Sequence, residues 1–413
     1  MALRADGAAS RHGRGRLLRR CARRPGRGAG FQGSGATPRP DRSFHNLAGT
    51  GGGHGPGRLA RCVPGPDAAD RLFLDGHLRT GREPLGSGRR RTTAHYRESG
   101  TGCVSAFFIG DVALDEYYTA ERWPGPADKG MVNELPAEIG GSIANAAVVH
   151  ASLGGETEFI SLLNDSALSR RLVGDLRANG VGVAHMLTDP AIAESRNLIF
   201  LVGGEHVVLT VEMGQQPMWL TPETLGALRS PGFLYLTLYR ARRLRCGIGG
   251  EMLGQAELLT DLRAHGRRAI FDLDVGGCTQ ADMPYLTGAQ VVIFNQVGFR
   301  AAFGHDDISR IGAWMRIADI AWVVRTMAAD GAEASNGGDV VRALGYPVEV
   351  VDVTGAGDTF GGTLTWCLSQ GQAFASALDF AVAAASRSVT IHGPRGGKAK
   401  ADEISRWREA RRP

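Results

Sequence analysis

Beyond Val104 the chain alternates short β-branched or aromatic runs with longer amphipathic stretches. The runs Val104–Ile109, Glu158–Leu163, Phe233–Tyr239, Ala269–Leu273, Val291–Asn295 and Ala321–Thr326 have the length of strands. Between them, Ser142–Leu153, Ala167–Asn179 and Met252–His265 read as helices, with Leu168, Leu172 and Leu176 at i, i+4 and i+8 on one stripe. Strands that alternate with helices connect in parallel and bury both faces, so the pattern predicts an α/β sandwich around a largely parallel sheet. One pair breaks the alternation. Arg196–Val202 and His206–Glu212 flank Gly203-Gly204-Glu205, a hairpin signal that fits either an edge of the main sheet or a separate small sheet.

In parallel sheets ligands collect beyond the carboxyl ends of the strands. Asp111, Asn295, Thr326 and the turn at Gly355 all follow predicted strand ends. The richest of these is Asp352-Val-Thr-Gly-Ala-Gly-Asp-Thr-Phe360, with a predicted strand upstream at Tyr346–Val351 and a predicted helix downstream at Thr359–Leu368. Gly355 and Gly357 let backbone N–H groups converge, and the first helical turn adds unpaired donors and the positive end of its dipole. Such a turn is an anion hole. A carboxylate at Asp358 repels a bound phosphate unless it takes a proton from an attacking hydroxyl beside it, which makes it a candidate base. The plainer alternative is a glycine-rich turn in which Asp358 caps the helix.

The same nonapeptide resembles the C-terminal signature of the ribokinase family, the PfkB-type carbohydrate kinases. Two further segments fit that family in order: Phe107-Phe-Ile-Gly-Asp111-Val-Ala-Leu-Asp115, and Gly140-Gly-Ser-Ile-Ala-Asn145 running into a helix. Asn295 supplies the asparagine of a third, and the likeness extends from roughly Val104 to Gly397. It implies a ribokinase-like three-layer sandwich over 103–397 with a small β lid from segments near 112–138 and 196–212. The implied activity is ATP-dependent, Mg²⁺-assisted transfer of phosphate to a hydroxyl of a sugar or polyol. Asp358 is then the base, with Gly355, Ala356 and Gly357 as the anion hole. Asp115, Gly140, Gly141 and Asn145 hold the acceptor, while Asn295, Thr326 and Gly331 face the nucleotide. Asp352 and Thr354 stand where relatives hold a monovalent cation, so K⁺ dependence follows, and relatives dimerise through the lid.

Elementary chemistry supports these roles for the acceptor residues. A carboxylate at Asp115 accepts from two adjacent hydroxyls more strongly than a neutral group, Gly140 and Gly141 allow close approach to the backbone, and Asn145 offers donor and acceptor together. Taken singly, Asp115 also reads as a solvated loop carboxylate and Asn145 as a helix residue bonded to its own backbone. Three positions depart from the family pattern. Gly298 replaces a glutamate that helps hold the magnesium water shell, and Ala328 replaces a glycine beside the nucleotide phosphates. Ser142 replaces a frequent lysine, which argues against a substrate that already carries phosphate. The first two departures favour, as a competing reading, a non-catalytic sugar or nucleotide sensor; a nucleoside kinase is a further alternative.

Charge divides the chain. Residues 1–100 hold 20 Arg, no Lys and 7 acids, a net +13, while the rest has 27 basic and 35 acidic residues, a net −8. The leader, 1–102, is also rich in glycine and without apolar periodicity, so it is expected to be disordered. Its bias matches GC-rich codons, and the natural start is expected near Cys103 or Val104. RNA binding through this arm is a weaker reading because no aromatic platform accompanies the charge. A charged tail is expected over 398–413, and Arg240, Arg242, Arg243 and Arg245 read as a solvated loop. The six cysteines form no C-x-x-C pair, and no apolar run approaches the roughly 18 residues of a membrane span, so a reduced, cytoplasmic protein is expected.

Overall fold

The computed structural model describes residues 105–411 apart from 126–127, 204, 212–213, 249–250 and 274–275, so the leader lies outside the described residues. The chain enters through β1 (Ala106–Ile109) and passes into β2 (Ala113–Ala120), β3 (Asn133–Glu134) and β4 (Glu138–Gly140), which belong to a separate small sheet. Helix α1 (Ser142–Ser152) leads back to β5 (Thr157–Ile160), and β6 (Leu162–Leu163), α2 (Ala167–Ala178) and β7 (Leu187–Thr188) follow. The hairpin β8 (Arg196–Val202) and β9 (Glu205–Thr210) then completes the small sheet. Next come β10 (Met218–Trp219), α3 (Pro222–Leu228), β11 (Gly232–Leu236), α4 (Leu238–Ala241), β12 (Leu244–Ile248), β13 (Glu251–Leu253) and α5 (Gln255–Ala264). The run β14 (Arg267–Asp272), α6 (Met283–Leu286), β15 (Val291–Asn295), α7 (Gln296–Phe303), α8 (Gly312–Ala318) and β16 (Trp322–Thr326) precedes the hairpin β17 (Ala332–Ser335) and β18 (Val340–Ala343). Helices α9 (Ala356–Ser369), α10 (Phe374–Ser388) and α11 (Ala401–Glu409) end the described chain.

The main sheet has eight strands in the order β18-β17-β16-β15-β14-β11-β1-β5. The six from β16 to β5 are all parallel; β17 runs against them, and β18, antiparallel to β17, returns in their direction. Side chains alternate across a strand, so one apolar run feeds two cores. Phe108, Phe233, Tyr235, Ile270, Ile293 and Val324 pack with α1, α2, α9, α10 and α11. Their neighbours Phe107, Leu234, Leu236, Phe271, Val292 and Val323 pack with α3 to α8. The predicted three-layer architecture follows directly from these doubly buried strands.

Several expected boundaries move, each for a local reason. The run Glu158–Leu163 breaks at Ser161 between β5 and β6, and Phe233–Tyr239 stops at Leu236 because Thr237 caps α4 by accepting from the Arg240 N–H. Met252–His265 begins as β13 and turns helical only at Gln255. Tyr346–Val351 is not a strand. Pro347 has no N–H for a ladder, and the segment runs along α10 instead, with the Tyr346 N–H donated to Ser386 Oγ and the Val351 N–H to the Val389 carbonyl. The expected tail is largely helical, since α11 buries Ile404 in the core and sets Trp407 against Tyr346. Among the described residues no helix is long and apolar enough to cross a membrane.

The hairpin β8–β9 does not extend the main sheet. It joins β2 in parallel, while β3 and β4 pair with β2 on its other side. Register places Glu138, Asp115, Asn197 and Thr210 in one polar row across four strands.

Candidate active site

Helix α9 starts where the sequence places its anion hole. Gly355 is the N-cap in the left-handed region at φ 76°, and an added Cβ would meet the Pro394 carbonyl oxygen at 2.0 Å, so the turn requires glycine. Around Gly357 the corresponding space is open to 4 Å. The Ala356 N–H turns back to the Val353 carbonyl at 3.2 Å, closing a tight first turn. Of the expected anion-hole amides this one is therefore engaged, whereas those of Gly355 and Gly357 meet no backbone acceptor among the described residues. Asp358 lies in the first turn of the helix.

Its carboxylate reaches α1. Ser142 Oγ donates to Asp358 Oδ1 by a short hydrogen bond, and Asn145 Nδ2 donates to Asp358 Oδ2 at 2.9 Å. The two helices come this close because Gly362, one turn beyond Asp358 in α9, leaves room for the α1 backbone. A Cβ there would stand 2.3 Å from the Ala146 carbonyl oxygen. Arg395, in the loop after α10, donates from Nε to Asn145 Oδ1 at 3.2 Å and pairs through Nη1 with Asp175 of α2. The Asn145 side chain is therefore bonded to the Asp358 carboxylate and to a guanidinium, rather than to its own backbone.

Asp115 faces this region from the small sheet and is 8% exposed. Asn197 Nδ2 donates to its Oδ1 at 2.7 Å, Thr210 Oγ1 in turn donates to Asn197 Oδ1 at 2.9 Å, and Gly140 leaves space for its Oδ2, which a Cβ would meet at 2.1 Å. Burial pushes the Asp115 carboxyl above its ordinary value, against the Asn197 bond and the Arg395 charge. Tyr117, two residues along the same face, is pushed up to about 12 by burial and by the charges of Asp115, Glu138 and Asp352. A cleft of about 430 Å³ opens between Glu138 and Ile139 of β4 and the loop carrying His392, Arg395 and Lys398. As the candidate acceptor-binding carboxylate, Asp115 would hold a hydroxyl pair best when ionised, and a raised folded pKa means the charge is lost on acidification sooner than for an ordinary carboxylate. Acceptor KM is accordingly expected to climb as pH falls towards that raised value. Asp115→Asn should raise KM at neutral pH and remove this limb, as initial rates across pH would reveal.

The other expected positions have mixed fates. Asp352 Oδ1 accepts from the Thr354 N–H and Oδ2 from the Gly393 N–H, both at 2.9 Å. Burial works to raise the Asp352 pKa, but these bonds hold it below the ordinary range. Its carboxylate thus ties the turn to the 391–398 loop. Asn295 and Thr326 are paired neighbours at the ends of β15 and β16, yet Asn295 Oδ1 caps α7 by accepting from Gly298 N–H at 2.7 Å. Gly331 sits at φ 90°, where a Cβ would lie 2.1 Å from the Ala343 carbonyl oxygen, so its glycine serves the turn before β17. Ala328 occupies the left-handed region at φ 50°. Ala328→Gly is expected to relieve a strain of about 1 kcal/mol, read as a higher denaturation midpoint.

Three side chains escaped the sequence reading. Asn197 meets Asp115 only through strand register, Arg395 lies 250 residues from Asn145, and Arg240 belongs to the supposed solvated loop. Arg240 is in fact 1% exposed and pairs with Asp111, with Nε donating to Oδ2 at 3.1 Å. Burial lowers its pKa only to about 10, so it stays charged. Arg242 likewise bonds Asp282. Among the described residues no three His, Cys, Asp or Glu side chains gather as a metal site.

A family model described as pfkB family carbohydrate kinase matches residues 105–401. The ribokinase of Bacillus subtilis (strain 168) is 26% identical over 297 residues, which are 72% of this chain and 96% of that one. A structure of Arabidopsis thaliana ribokinase complexed with ribose and ATP shares the fold with a TM-score of 0.64 at 20% identity, covering 75% of this chain and 99% of that one. Escherichia coli phosphofructokinase-2 in complex with potassium has a TM-score of 0.55 at 19% identity over 74% of this chain and 98% of its own.

Proposed function

The chain belongs to the pfkB family of carbohydrate kinases, phosphotransferases that act on hydroxyl groups, and we propose that it moves the γ-phosphate of ATP to a sugar or sugar-like alcohol held by Asp115. The observation that carries this reading is the Asp358 carboxylate at the start of α9, held by Ser142 and Asn145 beside the open Gly357 turn. The acceptor oxygen attacks the γ-phosphorus as its proton passes to Asp358. The bond from that phosphorus to the β,γ-bridging oxygen breaks, and its electron pair stays on ADP. The Gly355 and Gly357 amides stabilise the charge that develops on the transferred group, and bound Mg²⁺ supplies further charge neutralisation.

On this reading Asn295 and Thr326 border the nucleotide, Gly140 and Gly141 bring the backbone to the acceptor, and Asp352 and Thr354 frame a K⁺ site through the loop they order. The small sheet closes over the acceptor and excludes water, which would otherwise take the phosphate. Its exposed Leu201, Val207 and Leu209 suit a homodimer. The strain at Ala328 favours the sensor as a second reading. Incubating the protein with ATP, Mg²⁺ and a panel of sugars, polyols and nucleosides separates the two. Acceptor-dependent ADP release supports the kinase, and thermal stabilisation by the same compounds without ADP release supports the sensor.

A further inference from the structure

We propose that Arg395 is a positioning residue for phosphoryl transfer, acting on Asp358 through the carboxamide of Asn145. The proposal rests on Asp358 being the base. An asparagine amide has a donor end and an acceptor end, and only one orientation suits its two neighbours here. With Oδ1 towards the Arg395 guanidinium and Nδ2 towards the Asp358 carboxylate, both contacts are charge-assisted. Turned over, the amide would set oxygen against carboxylate and NH₂ against guanidinium, two repulsions in place of two attractions.

Asn145 is 3% exposed, so water competes poorly for either end. Arg395 in turn is held by Asp175 of α2. The chain Asp175, Arg395, Asn145, Asp358 thus fixes Asp358 Oδ2 from the far side of α1. Oδ1 is served differently. It accepts from the hydroxyl rotor of Ser142, a residue exposed to solvent. A hydroxyl rotor yields readily to an incoming alcohol, so Oδ1 is the oxygen that receives the acceptor's proton while the relay keeps Oδ2 still.

If Arg395 is removed, the Asn145 carboxamide loses the anchor at its Oδ1 and, with it, the fixed position from which Nδ2 donates to Asp358, and the nearby positive charge goes as well. That would raise the carboxylate's pKa, push it from its place and slow transfer. A residue that only supports the loop would lower stability without moving the acid limb of kcat. The test is a double-mutant cycle on the full chain with Arg395→Ala and Asn145→Ala, plus Arg395→Lys and Asp358→Asn, read as kcat against pH and as denaturation midpoint. Arg395→Ala is expected to lower kcat by about tenfold or more and to move its acid limb to higher pH. It should cost little further in the Asn145→Ala background, and Arg395→Lys should restore part of the rate. Additive losses in kcat from the two alanine variants, or an unmoved acid limb, would overturn the proposal. Should a variant fold too poorly for kinetics, the stability cycle still decides, because a coupling near zero between Arg395 and Asn145 would also overturn it. An Asp358→Asn variant with wild-type turnover would instead remove the base assignment on which the relay depends.

Discussion

Asp358→Asn is expected to lower kcat by about 10²–10⁴-fold while leaving acceptor affinity nearly intact, the range that general-base catalysis supplies. The substituted amide keeps the size of the carboxylate and one acceptor oxygen for the Ser142 hydroxyl. Its NH₂, however, would face the NH₂ of Asn145, where Asp358 Oδ2 now accepts at 2.9 Å. It also cannot take up the acceptor's proton at neutral pH. On the proposed reading the acceptor is gripped chiefly by Asp115 of the small sheet, so KM should change far less than kcat, the mark of an interaction made mainly in the transition state. Separate determination of kcat and KM, with the denaturation midpoint as a check on folding, measures this split.

Gly362→Ala is the second large effect, and it acts on geometry rather than chemistry. The new methyl would stand 2.3 Å from the Ala146 carbonyl oxygen, so α1 and α9 must separate. Overpacking of this kind costs about 1–3 kcal/mol, set against roughly 1 kcal/mol gained in helix propensity. The site should suffer more than the fold. Ser142 and Asn145 reach Asp358 only across this contact, and a displacement near 1 Å at reacting groups can cost about 10²-fold in rate. Gly357→Ala meets open space at its Cβ and should leave the fold unchanged. Comparing denaturation midpoints and kcat for the two variants separates helix packing from loss of glycine as such.

Much of this molecule was legible because its strands are buried on both faces. Runs such as Phe107-Phe108-Ile109 and Val291 to Phe294 stay apolar at every position, and their spacing with intervening helices implies the parallel sheet. Asp358 and Gly355 were visible because a strained turn and a charged residue at a helix start leave local marks. Asn197 left none, since its meeting with Asp115 depends on the parallel pairing of β2 with β8, which no local pattern encodes. Arg395 joins Asn145 by tertiary packing alone. The arginines after β11 misled for a related reason: a cluster of like charge reads as solvated, but Arg240 finds the half-buried Asp111 at the end of a neighbouring strand and is itself buried. Tyr346–Val351 has the composition of a strand, and Pro347 with the neighbouring α10 decides otherwise.

The most direct measurement follows phosphate itself. The full chain and its Asp358→Asn variant would be incubated with γ-labelled ATP, Mg²⁺ and each candidate sugar or polyol, and the label traced to the acceptor by mass. Label on an acceptor hydroxyl with the wild-type protein, and at least a hundredfold less with the variant, is the predicted result. Equal labelling by both proteins, or none by either while ATP and sugar still bind, would contradict it.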